Sequence, residues 1–201
     1  MDNMIPIYNA IIEDNGCGVD KISLVKSPAV ESNFLAFADN KKQVMFSANE
    51  EKQIITGVLL RCDYPIYRND NELGEYYIKF DRETIRTIAE QILNDNSQNK
   101  INIEHTPYLI DGVNMFELFI KDSYFGISPN GFENITDGSL FATFKVHNPK
   151  VWEAIKAGDF MGFSIEGFFN LEKTEEYAPQ DELDEVLELI EQIINQTNNN
   201  R

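Results

Sequence analysis

The sequence predicts an α+β domain with more strand than helix. Three observations carry that reading: short apolar runs parted by turn-forming residues recur from Gln53 onward, one stretch repeats its isoleucines at helical spacing, and an Asn-Pro pair announces a second, short helix. The elements follow in order. Ile54 to Leu60, Pro65 to Arg68 and Glu75 to Phe80 read as strands. Asp81 is placed to cap a helix in which Ile85, Ile88, Ala89 and Ile92 share one face. After the polar break Asn94 to Asn99, the run Lys100-Ile101-Asn102-Ile103-Glu104-His105 alternates as a strand does. Ile101, Ile103 and His105 then point to one side, Asn102 and Glu104 to the other.

Val113 to Ile120 and Ser139 to Val146 are further strands. Asn148-Pro149 supplies an N-cap and a first-turn proline for a helix that ends near Gly158, with Trp152 and Ile155 as its anchors. Phe160 to Leu171 is the next strand. Ahead of these elements, residues 1–50 are broken by Ser27-Pro28, Asn33 and polar runs, and read as an N-terminal arm that adds edge strands or stays mobile. Residues 51–174 are the expected folded domain. Residues 175–201 are the expected acidic amphipathic helix and frayed tail, in which Leu183, Val186, Leu187, Ile190, Ile193 and Ile194 form an apolar stripe. That helix either packs on the domain or meets a partner, and self-association of the chain is among the expected interactions.

A chain of 201 residues with 42% hydrophobic content can bury one sizeable core. Its formal charge of −17 argues against direct nucleic-acid binding, which needs clustered Lys and Arg to meet phosphates. Cys17 and Cys62 form neither a disulfide framework nor a CxxC metal or redox motif, which fits a reducing cytoplasm. Neither a basic-then-apolar leader nor an apolar run approaching ~20 residues is evident, so no membrane association is expected. Phosphate-binding glycine motifs are absent. Two histidines far apart, with no cysteine cluster, leave no ligand spacing for a metal, and no cofactor is expected.

Any histidine-dependent chemistry has two candidates, His105 and His147. His147 directly precedes the predicted helix entry and reads as a loop residue. Four stretches in order, Ile22-Ser23-Leu24-Val25 with Ser27-Pro28-Ala29-Val30, Pro65-Ile66-Tyr67-Arg68, Asn102-Ile103-Glu104-His105 and Gly162-Phe163-Ser164-Ile165-Glu166-Gly167, resemble the XkdF-type phage serine proteases. That group is similar in turn to the phage prohead proteases and to the herpesvirus assemblins. The resemblance implies an antiparallel β-barrel-like core flanked by helices. It also implies a serine endopeptidase that trims scaffold and major capsid protein extensions, and then itself, inside the viral procapsid in the host cytoplasm. Ser164 would be the nucleophile and His105 its general base.

The residues suit that chemistry. A serine hydroxyl needs a positioned base to take its proton, and the same imidazole later protonates the leaving amine. Gly162 and Gly167 would let backbone approach a substrate. For the orienting acid, alternation turns Glu104 away. Glu117, an acid within the apolar strand Met115 to Phe119, is preferred, on the expectation that this strand neighbours the one carrying His105. Glu166, two residues beyond Ser164 on the same face, is held in reserve. The assemblin arginine that orders the oxyanion site has no counterpart after Ser164 except Lys173 and Arg201, which leaves backbone or Arg68 for that role. The competing reading is a catalytically inactive structural or scaffold-associated head protein that retains the fold.

Overall fold

The computed structural model describes residues 4–13, 17–29, 46–49 (backbone only) and 52–178. The eleven strands and two α-helices among them make the protein mainly β. Strands are β1 (Ile5–Ile11), β2 (Gly18–Val25), β3 (Phe46–Asn49), β4 (Ile54–Leu60), β5 (Ile66–Asp70) and β6 (Gly74–Lys79). Helix α1 (Arg82–Asn94) follows, then β7 (Ile101–Ile103), β8 (Val113–Ile120), β9 (Leu140–Val146), helix α2 (Pro149–Ala157), β10 (Gly162–Phe168) and β11 (Asn170–Ala178).

Three sheets form, with strand orders β11-β1-β6-β5, β10-β2-β7 and β3-β4-β9-β8. Most pairs are antiparallel, but β1 runs parallel to β6 and β2 parallel to β7. The expected barrel-like core is not seen among the described residues: each sheet ends in its own edge strands, and the three sheets do not close into a barrel, although an isolated bridge between Cys62 and Phe80 links the chain after β4 to the end of β6.

Helix α1 forms where its isoleucine spacing predicts. Asp81 accepts a hydrogen bond from the backbone N–H of Thr84 at 2.7 Å, and Ile85, Ile88 and Ile92 are fully buried. Helix α2 is capped by Asn148, whose side chain accepts from the N–H groups of Lys150 and Val151. It stops at Gly158, which takes the left-handed conformation (φ 79°) suited to glycine. Val151, Trp152 and Ile155 are its buried face.

The expected N-terminal arm is corrected by two interior strands. β1 lies between β11 and β6, and β2 between β10 and β7. The reason is visible in β2, where Ile22, Ser23, Leu24 and Val25 are all buried. A strand covered on both faces reads as a continuous run without the alternation that marks a half-exposed one. At the other end, β11 pairs with β1 as far as Ala178, so the sheet carries the domain past the expected boundary at 174. The expected amphipathic helix, from residue 179 onward, lies outside the described residues.

The core joins β2, β4, β9 and α1 through Ile22, Leu24, Ile55, Leu60, Ile88, Phe141 and Phe144. Phe163 of β10 packs on Phe144 of β9, with ring centroids 4.8 Å apart. This contact seats the three-stranded sheet, which carries the functional candidates, against the four-stranded sheet behind it.

Candidate active site

His105 is not on a strand. Pairing of β7 with β2 ends at Ile103, and Glu104 (φ 49°) and His105 (φ 56°) both adopt the left-handed conformation in the turn that follows. Two consecutive non-glycine residues there are strained, and such strain persists only where surrounding contacts over-determine it. The contacts are identifiable. The Glu104 N–H donates to the Leu24 carbonyl at 3.0 Å, the Thr106 N–H to the Ile103 carbonyl at 3.0 Å, and the Glu104 carboxylate accepts from the Lys26 N–H at 2.6 Å. Glu104 is thereby committed to the backbone of the chain leaving β2.

The turn carries the His105 ring over β2. Its Nδ1 lies 3.1 Å from Ser23 Oγ and 3.5 Å from Glu166 Oε1. Ser23 Oγ is also 2.9 Å from Glu166 Oε1 and 2.5 Å from Asn102 Oδ1, while Asn102 Nδ2 donates to Glu166 Oε1 (2.5 Å) and to the Thr106 carbonyl (2.8 Å). Four polar side chains from three adjacent strands and one turn thus meet in one network. Ser23 and Asn102 are fully buried, whereas the His105 side chain is 46% exposed. With Nδ1 directed at Ser23 and Glu166, Nε2 is the ring nitrogen left for a substrate or nucleophile.

The Glu166 carboxyl feels opposing influences. Burial pushes its pKa up, but hydrogen bonds from Asn102 and Ser23, together with the nearby His105 and Lys21, outweigh that and hold it below the ordinary value. Lys21 Nζ stands 3.9 Å from Glu166 Oε2. The result is an ionised acceptor aimed at the imidazole.

Ser164 sits directly across from Ser23 in the antiparallel pairing of β10 with β2, so the two hydroxyl-bearing residues share a face of the sheet. Glu166 is on that face as well, two residues further along β10. Ser164 is half-buried and lines a cavity of about 270 Å3 with Leu59, Ile66, Arg68, Tyr76 and Phe163, among others. No hydrogen bond joins Ser164 to His105 among the described residues. The hydroxyl in contact with the ring is that of Ser23.

Glu117, the preferred orienting acid at the sequence level, is exposed on β8, which pairs with β9 in a different sheet from β7. The expected adjacency of β8 to the His105 strand is replaced by that of β2, and the acid beside the imidazole is the reserve candidate Glu166. His147 is exposed in the loop before α2, its N–H bonded to the Gly112 carbonyl. Gly167 serves the fold itself: a side chain there would strike the Gly18 carbonyl across a β-bulge between Glu166 and Gly167.

Sequence reasoning does not reach Ser23 and Asn102 as site residues. The available signal was a polar residue inside each of two apolar runs, Ile22-Ser23-Leu24 and Ile101-Asn102-Ile103. Alternation separated Asn102 from His105, and only the turn at 104–105 reunites them.

A protein-family comparison matches residues 41–173 to the family described as putative phage serine protease XkdF. The chain belongs to this family. The match takes in β3 to β10 and with them His105, Ser164 and Glu166, while β2 with Ser23 lies ahead of it. Comparisons with curated proteins and with solved structures gave no match. The XkdF-like domain therefore places His105 at the centre of a network completed by a strand outside the matched region.

Proposed function

We propose that this XkdF-family chain is a serine endopeptidase of phage head assembly, acting inside the procapsid in the host cytoplasm on extensions of the scaffold and major capsid proteins and on itself. The observation that carries the reading is the His105 imidazole, bound through Nδ1 to the Ser23–Glu166 network with Nε2 left over, on the sheet face that also bears Ser164.

In this reading Glu166, through Ser23, sets the ring orientation and tautomer. Nε2 takes the Ser164 proton as Oγ attacks the scissile carbonyl carbon, and then gives it to the departing amine as the C–N bond breaks. Water, deprotonated by the same nitrogen, releases the acyl group as a carboxylic acid and restores the Ser164 hydroxyl. Ser164 suits the nucleophile's role better than Ser23 because a fully buried hydroxyl cannot meet a peptide carbonyl. The ring must turn toward β10, which its exposure and its place on a turn permit.

A second reading is favoured by the 3.1 Å contact itself, in which Ser23 is the nucleophile and becomes accessible when the network opens. Co-expression of the chain with its capsid and scaffold proteins tests the function. Processing that is lost in Ser164→Ala and His105→Ala supports the proposal. Processing that is unchanged in both overturns it, and absence of processing by the unmutated chain supports the inactive structural head protein instead. Labelling with a fluorophosphonate and mapping the modified serine separates Ser164 from Ser23.

A further inference from the structure

Asn102 is a fully buried polar residue in the middle of β7, and the orientation of its amide follows from what surrounds it. One end of the amide meets the Thr106 carbonyl at 2.8 Å and Glu166 Oε1 at 2.5 Å. A backbone carbonyl can only accept, so that end is the Nδ2 group with its two protons. The other end, 2.5 Å from Ser23 Oγ, is Oδ1. Because Nδ2 donates to Glu166 Oε1, that oxygen is bound to act as an acceptor as well, and any proton the carboxyl takes up belongs on Oε2. The direction of these bonds is thus passed from the Thr106 backbone through Asn102 to Glu166. The same bond to Thr106 ties down the turn in which Glu104 and His105 keep their left-handed conformation.

The protons around Ser23 then fix the state of the imidazole. Ser23 Oγ carries one hydrogen and meets Asn102 Oδ1 at 2.5 Å, Glu166 Oε1 at 2.9 Å and His105 Nδ1 at 3.1 Å. Neither oxygen has a hydrogen to give. If Ser23 spent its own on Nδ1, both oxygens would face a lone pair at hydrogen-bond distance, in a site where Ser23 and Asn102 are shut off from water. The Ser23 hydrogen therefore goes to an oxygen, and Nδ1 must bring a hydrogen and donate it to Ser23 Oγ. Nε2 of the neutral ring is then bare.

We infer that Asn102 is a positioning residue: anchored on the Thr106 carbonyl, it sets the direction of every bond in the network and so holds neutral His105 with its hydrogen on Nδ1, even where residue 166 carries no charge. The use of bare Nε2 as a base rests on the protease reading, whereas the tautomer is a property of the resting chain. The chain has two histidines, His105 and the exposed His147, so the full-length protein labelled with nitrogen-15 in its imidazoles gives one signal from the site and one internal reference. Long-range proton–nitrogen correlation spectra at about pH 8, above the ordinary imidazole range, read the tautomer of each ring, and His147→Gln assigns the signals.

In the unmutated chain His105 shows the Nδ1–H form in about ten-fold or greater excess, as one net hydrogen bond supplies. Glu166→Gln keeps that excess, because Asn102 Nδ2 still faces residue 166 and turns the oxygen of the new amide inward. Adding Asn102→Ala frees that amide to turn and removes Oδ1, and the excess falls to about two-fold or less. Asn102→Val, whose side chain favours a strand, repeats the measurement if the alanine variant does not fold, and circular dichroism checks each protein. An Nε2–H ring in the unmutated chain, an excess lost in Glu166→Gln alone, or an excess that survives the double variant in a folded protein overturns the inference. An Nδ1–H ring in a chain that processes nothing keeps the inference and removes the protease reading. An Nε2–H ring in a chain whose processing depends on Ser164 and His105 does the reverse.

Discussion

Ser164 and Ser23 face each other across the β10–β2 pairing, yet only Ser23 touches the His105 ring, at 3.1 Å. One residue is fully buried and the other lines a cavity. Burial and contact therefore point to different serines: Ser23 meets the ring, whereas half-buried Ser164 has the exposure that attack on a substrate needs.

Ser164→Ala is expected to abolish processing, whereas Ser23→Ala lowers kcat by about 10- to 100-fold through loss of ring orientation. The ordering is the test. A Ser23→Ala enzyme as dead as Ser164→Ala, with the phosphonate label found on Ser23, would transfer the nucleophile to β2.

Glu166→Gln is expected to reduce kcat by at least about 100-fold and Glu117→Gln by less than about two-fold, because only Glu166 reaches the imidazole. The same substitution has a pH signature in stability. A carboxylate whose folded pKa is depressed adds stability above its unfolded value, near 4.5, and loses it as the pH falls through the lower folded value. Urea denaturation should show Glu166→Gln less stable by about 1–2 kcal/mol at pH 7, the gap closing below pH ~4. A gap that widens in acid would contradict the assigned network.

Lys121 is 2% exposed, and its ammonium donates to the carbonyls of Phe132 (3.0 Å), Glu133 (3.2 Å) and Ile135 (2.6 Å). It ties the long connection between β8 and β9 to the end of β8. Lys121→Met leaves those carbonyls without their donor and should cost about 3 kcal/mol, seen as a lowered urea midpoint. A loss below about 1 kcal/mol would mean that the connection holds itself.

Burial, aided by the Asp63 carboxylate that accepts from Sγ, pushes the Cys62 thiol up to about 12. At pH 8 only about one molecule in 10⁴ then carries the reactive thiolate. A maleimide should therefore modify Cys17 in the native protein and reach Cys62 only after denaturant is added. Equal labelling rates for the two cysteines would refute this.

Local periodicity was sufficient for both helices. Ile85, Ile88 and Ile92 recur at a spacing that only a helix turns to one side, and Asp81 and Asn148 signal where the chain starts to coil. The strands from β4 to β9 were also legible, because their apolar runs are parted by turn residues. The interior places of β1 and β2 are not legible in the sequence, since membership of a sheet centre depends on which distant strands lie on either side.

At the site, the sequence by itself determined which chemistry was available: a protein with two histidines and an Asn-Ile-Glu-His run, with Ser-Ile-Glu between glycines further on. Tertiary structure decided the partners. The paired left-handed residues 104 and 105 end the alternation that had set Asn102 and His105 on opposite faces, and the insertion of β2 between β7 and β10 puts Ser23 under the ring. Strand order also sets Glu166, and not Glu117, beside the imidazole. The physical reason is common to all three: alternation and spacing report the orientation of a side chain within its own strand, whereas contact between strands is set by register and sheet order, to which residues from β2 to β10 contribute at once.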